Sequence, residues 1–157
     1  IEWHMIGHVQ TNKVKYMAPY VSLIHGVDSL KLLQEINKQA AKNNRVIDCL
    51  LQVYIAEEES KFGLDEKELE EVLKLVQNDK ENYKNTRIVG LMGMATFTEN
   101  KNQIEKEFKH LKTIFDKFTI HNSQFTILSM GMSGDYQLAI SCGSTMVRIG
   151  SSIFGSR

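Results

Sequence analysis

An arginine inside an apolar strand is the most informative chemical feature of this chain. Arg148 sits within Thr145-Met146-Val147-Arg148-Ile149, where burying a guanidinium without a partner is costly. Two readings fit it: a pairing with a structural carboxylate, or donation to a ligand at the mouth of a site. Gly150 and Ser151 directly beyond it favour the ligand. Three loops rich in small residues, 90–95, 129–135 and 143–152, offer the rest of such a site. Glycine lets a backbone approach a ligand closely, while free N–H groups and Ser or Thr hydroxyls bind anions. Taken singly, each loop reads equally well as a set of tight turns.

Other chemistry is less well supported. His4 and His8 have a spacing that serves a metal on a helix, but they lie on a strand and a polar loop. No third ligand clusters with them, so no metal is expected. Ser133 and Asp135, with distant histidines, lack the Gly-x-Ser-x-Gly elbow of a hydrolase. Met92, Met94, Met130, Met132 and Met146 read as core packing. The run Glu57-Glu58-Glu59 reads as a solvated face, and Lys61 as either an exposed lysine or a ligand contact.

The elements that would position these groups alternate along the chain. Short apolar runs at 2–6, 22–25, 46–53, 87–92, 125–130 and 145–149 read as strands. Several are nearly continuous in Val, Ile, Leu and Met, the pattern of a parallel sheet covered on both faces. Between them, 29–42 reads as a helix with Leu30, Leu33, Ile36 and Ala40 inward. Asp65 and Glu68 form a capping box ahead of Leu69, Val72, Leu73 and Val76. Asn100 and Gln103 start a further helix, with Ile104, Phe108, Leu111, Phe115 and Phe118 as its apolar stripe. Repeated βα units imply either an open doubly wound sheet or an arc of a (β/α)8 barrel. In both, ligands sit beyond the carboxyl ends of the strands, where all three loops fall. The last two loops follow the last two strands, a frequent phosphate position in barrels.

The chain as a whole excludes several classes. Its 157 residues suffice for one domain, and its single proline leaves no linker to divide it. Nineteen basic residues balance nineteen acidic ones, so there is no electrostatic footprint for nucleic acid or an anionic membrane. No apolar run approaches the ~20 residues that span a bilayer. Cys49 and Cys142, each in an apolar stretch, read as buried free thiols of a reducing, cytoplasmic compartment.

In order along the chain, His4-Met5-Ile6-Gly7-His8-Val9-Gln10-Thr11-Asn12-Lys13, Lys61-Phe62-Gly63-Leu64, Gly90-Leu91-Met92, the loop 129–135 and the stretch 143–150 resemble the pyridoxal-phosphate homeostasis family. The resemblance covers essentially the whole chain. It implies a (β/α)8 TIM barrel of the alanine racemase N-terminal type, with about six βα units, strands 3 to 8, present in one domain over 1–157. It also implies pyridoxal 5′-phosphate as cofactor, in a non-catalytic role in intracellular vitamin B6 and amino-acid homeostasis. Carried over residue by residue, it sets Arg148 against the pyridine nitrogen. Ser129, Met130, Gly150 and Ser151 would surround the phosphate, Ser151 standing where the family commonly has threonine. Asn12 and Lys13 would approach the same mouth. An arginine at the pyridine nitrogen disfavours its protonation and weakens the ring as an electron sink. That suits retention of the cofactor better than carbanion chemistry.

The family's Schiff-base lysine lies on a first strand, in a Val-Ser-Lys segment that has no match here. An N-terminally incomplete barrel with a phosphate-and-ring half-site and no catalytic residue is therefore expected. The competing enzyme reading is a small pyridoxal-phosphate-dependent racemase. That class needs a second domain with a catalytic tyrosine, for which the residues up to Arg157 leave no room. A third reading is a phosphate-ligand module with no pyridoxal link. Pyridoxal phosphate is the expected partner, with neither nucleic acid nor membrane. The complete protein is expected to be a monomer, and this chain to self-associate through open strand edges.

Overall fold

The strand order decides between the two α/β architectures. A computed structural model describes residues 1–58 and 62–156; Glu59, Lys61 and Arg157, named above, lie outside them. Along the chain come β1 (Trp3–Met5), a 3-10 turn (Thr11–Lys13), α1 (Val14–Met17), β2 (Val21–Val27), α2 (Leu30–Lys42) and β3 (Ile47–Gln52). There follow α3 (Glu66–Asn78), a second 3-10 turn (Lys80–Tyr83), β4 (Thr86–Met92) and α4 (Lys101–Thr119). The chain closes with β5 (Ile127–Met132), α5 (Tyr136–Ser141), β6 (Met146–Arg148) and α6 (Ser151–Phe154). Every neighbouring pair is parallel, in the order β1-β2-β3-β4-β5-β6. A doubly wound sheet would reverse at a switch point and separate strands adjacent in sequence. With right-handed crossovers and no reversal, the helices fall on one face, and strand twist curls the other face inward. The result is an arc of a (β/α)8 barrel, with β1 and β6 as its edges among the described residues.

Both faces of the sheet are packed, which explains the unbroken apolar runs. The larger cluster lies between sheet and helices, where Leu33, Ile36, Leu69 and Phe108 meet Ile24, Cys49, Leu51 and Leu91. On the concave side Leu23, Leu50, Val89 and Met92 pack together, with Met94, Ile127 and Met146 against them. Alternation breaks once in β4: Cys49 pairs with Ile88 but Leu50 with Gly90, so β4 carries one extra residue. Val89 and Met92 both reach the interior because of it. Cys49 and Cys142 are free and buried. Among the described residues no helix is long and apolar enough to cross a membrane.

The helix starts follow the residues that cap them. Ser29 accepts from the Leu32 amide at 3.1 Å, and Asn100 from the Gln103 amide at 3.3 Å. At α3 both arms of the capping box close: the Glu68 amide donates to Asp65 at 2.8 Å, and the Asp65 amide to Glu68 at 2.9 Å. Asp65→Ala should cost about 1 kcal/mol, read by urea denaturation. An unchanged midpoint would mean that packing alone fixes the start of α3.

Candidate functional site

Arg148 ends β6 at the carboxyl edge of the sheet and is 7% exposed. Its Nη1 donates to Ser129 Oγ at 2.6 Å and its Nη2 to the Gly93 carbonyl at 3.2 Å. No carboxylate hydrogen-bonds it among the described residues. Burial pulls its pKa down to about 10, against the opposing field of Asp135, so it stays charged at neutral pH. The ion-pair reading of this arginine therefore gives way: neutral oxygens hold the guanidinium, and it borders a cavity. A guanidinium has five N–H groups, and Ser129 and Gly93 engage only part of that fork.

The cavity, of about 990 Å³, opens at the carboxyl ends of the strands. All three small-residue loops contribute to its wall, through Met94 and Ala95, through Gly131 to Asp135, and through Gly150 and Ser151. Ser133 Oγ accepts from the Gly150 amide and the Ser152 amide, both at 3.2 Å. Two backbone donors converging on one oxygen form an arrangement that also suits the oxygen of an anion. A Cβ placed on Gly150 would meet nothing within 4 Å, so the backbone there faces open space. The wall after β4 is pinned from behind by buried Glu107, which accepts from the Thr96 amide at 2.6 Å and the Thr96 hydroxyl at 2.9 Å.

The structure distributes the residues expected at the phosphate over different places. Arg148, Gly150 and Ser151 border the cavity. Ser129 is fully buried, its hydroxyl lying between Arg148 and His25. Met130 is turned away altogether, because successive strand residues point to opposite faces and its side chain belongs to the helix-side core. Asn12 and Lys13 sit in the 3-10 turn after β1, exposed and outside the cavity wall. His4 and His8 part company: His4 Nδ1 is 3.2 Å from His25, while His8 stacks on Phe62 and lies 3.3 Å from Asp28.

Two contributors were missed by sequence reasoning. His25 is 1% exposed and bonds both Ser129 and His4. Its signal was a lone histidine in an apolar strand, two residues after the inward-facing Leu23. Ser133 was weighed as a nucleophile and as one hydroxyl of an anion-binding loop, whereas its oxygen organises the amides at the start of α6.

A curled parallel sheet with a cavity at the carboxyl ends of its strands defines an α/β barrel protein. The family model for the alanine racemase N-terminal domain matches residues 2–157. A pyridoxal phosphate homeostasis protein of Aquifex aeolicus is 40% identical over 158 residues, covering 100% of this chain and 68% of the relative. The chain belongs to the alanine racemase N-terminal domain family and, within it, to the pyridoxal phosphate homeostasis proteins. It spans about two-thirds of the length of that Aquifex relative. PipY of Synechococcus elongatus with pyridoxal phosphate bound superimposes with a TM-score of 0.83 at 28% identity, over 99% of this chain and 71% of PipY. An alanine racemase of Clostridium difficile shares the fold, with a TM-score of 0.72 at 15% identity over 100% of this chain and 40% of the racemase.

Proposed function

We propose that residues 1–157 form one unit that binds pyridoxal 5′-phosphate, in a protein that holds this cofactor for vitamin B6 and amino-acid homeostasis without turning over a substrate. The observation carrying this reading is the buried, carboxylate-free Arg148 beside the amides of Gly150 and Ser152. A phosphate at the amide end and a ring nitrogen at the arginine end match those two groups in charge and donor chemistry. When bound, the cofactor supplies an amine-reactive aldehyde and an electron-withdrawing ring. Arg148 can only donate, so it orients a ring nitrogen in its unprotonated form. Ser129 and the Gly93 carbonyl fix the guanidinium, and Ser133 keeps the amides of the β6–α6 turn together. The PipY structure with pyridoxal phosphate bound supports the choice of ligand.

The finer parts of the reading belong to the same proposal. A donor-only partner at the ring nitrogen favours retention over carbanion chemistry, so incubation with alanine should give no racemisation. Two free buried thiols suit a reducing cytoplasm. The complete protein would be a monomer, and this chain would associate through the β1 and β6 edges.

Gly150→Val tests the site without disturbing the fold. The open space at Gly150 accepts the side chain, so stability should stay within about 0.5 kcal/mol. The added methyls would occupy the approach to the amides. Binding of pyridoxal phosphate, followed by absorbance after ultrafiltration, should fall at least tenfold, roughly the loss of one charge-assisted hydrogen bond. Undiminished binding by a folded variant would place the phosphate elsewhere.

A further inference from the structure

A string of polar side chains crosses the concave face behind Arg148. Arg148 Nη1 donates to Ser129 Oγ at 2.6 Å, Ser129 Oγ lies 3.0 Å from His25 Nδ1, and His25 Nε2 lies 3.2 Å from His4 Nδ1. His4 Nε2 is 4.0 Å from the Glu2 carboxylate at the exposed end. An arginine has no acceptor, so it fixes the direction of its own bond to Ser129, while the two histidine bonds follow the tautomer of His25. Ser129 must accept from Arg148, and its only other side-chain partner among the described residues is His25. Directed to His25 Nδ1, its hydroxyl proton gains a side-chain acceptor, which the opposite direction denies it. His25 then carries its proton on Nε2 and donates it to His4 Nδ1, leaving the His4 proton on Nε2 toward Glu2. Among the described residues no buried side-chain nitrogen or oxygen lacks a partner, and in this direction each side-chain proton along the string has an acceptor.

Resting on the reading of Arg148 as the ring-nitrogen donor, we propose that His25 is the positioning residue that holds it there. His25 acts through Ser129, with His4 fixing its tautomer. The groups facing His25 are Ser129 and Arg148 on one side and His4 with Glu2 on the other. A proton on His25 Nδ1 would strand the Ser129 hydroxyl and add a second cation beside Arg148. The field of Arg148 and the burial of the ring both oppose it. The string thus presents a fixed, singly charged donor to whatever flat nitrogen heterocycle enters the cavity. Sequence spacing hides the arrangement, because its members come from β1, β2, β5 and β6.

The experiment has one arm without ligand and one with it. Long-range 1H–15N spectra of the unliganded chain at pH 7 should show His25 and His4 as neutral Nε2–H tautomers. The Arg148 guanidinium should show slow rotation about its Nε–Cζ bond. His25→Leu should abolish that slow rotation and His25→Gln, which keeps an acceptor and a donor, should restore it. With pyridoxal phosphate, His25→Leu should weaken binding about tenfold, the scale of one hydrogen bond, while inorganic phosphate binding stays unchanged. His25→Gln should come within threefold of the parent. An Nδ1–H tautomer at His25, or an arginine signal indifferent to the leucine change, overturns the proposal. If His25→Leu does not fold, Ser129→Ala must give the same loss of slow rotation. A parent chain with the expected tautomers but no affinity for pyridoxal phosphate would sink the cofactor reading and leave the string standing.

Discussion

Gly90→Val should be the most damaging single substitution in the sheet. A Cβ at this position would overlap the Ile127 carbonyl oxygen and lie only 2.7 Å from its carbonyl carbon. Both atoms are backbone of β5, so no side-chain rotation relieves the overlap. Relief requires β4 and β5 to separate, at the point where Gly90 pairs with Ile127 and where β4 already holds its extra residue. Overpacking a core costs about 1–3 kcal/mol when side chains can yield, and here they cannot. A loss above about 3 kcal/mol is expected, against a typical total stability of about 5–15 kcal/mol. Urea denaturation of the purified variant measures it. A variant as stable as the parent would mean that β4 and β5 are spaced more widely than the structure gives.

The same glycine shows what a one-dimensional reading resolves and what it does not. It was legible twice over, within the strand 87–92 and at the start of the small-residue loop 90–95, a place for a ligand. In the structure Gly90 lies inside β4, and its requirement is the closeness of a neighbouring strand. Strand neighbours are long-range facts, and no local signal marks them. By contrast, the six strands and the three principal helices were legible because their signals are local. Asp65 with Glu68, Ser29 and Asn100 each close a cap within three residues.

The site divides along the same line. Arg148 stood out because a charge in an apolar strand is anomalous wherever it points. Gly150 and Ser151 followed from their adjacency to it. The directions of Ser129 and Met130 were not legible: adjacent in sequence, their side chains enter opposite layers, one beside Arg148 and the other against the helices. Only strand phase separates them, and the register irregularity between Ser129 and Met132 in the β5–β6 pairing obscures that phase. His25 was passed over because a single strand histidine has no motif around it. Its meaning comes from partners 21 and 104 residues away.

Mild acid should weaken the fold through that histidine before most carboxylates titrate. In the unfolded chain His25 has the ordinary value of 6.5, and in the fold it is lowered to about 3. Burial is the largest cause, followed by the charge of Arg148 and then His4. Above pH 6.5 the ring is neutral in both states and contributes nothing to the pH dependence. Between 6.5 and about 3 the unfolded chain takes up a proton that the folded chain refuses. Stability therefore falls as pH drops through this window, by about 1.4 kcal/mol per pH unit. From pH 7 to pH 5 the loss from this one group comes to about 2 kcal/mol by the same relation. Urea denaturation at the two pH values, on the parent and on His25→Gln, isolates it, because groups remote from the string titrate alike in both proteins. The variant should be less stable at pH 7, since it sits less well between Ser129 and His4, yet lose about 2 kcal/mol less on acidification. Equal losses in the two proteins would show that His25 accepts its proton in the folded state, and that the ring is not held neutral behind Arg148.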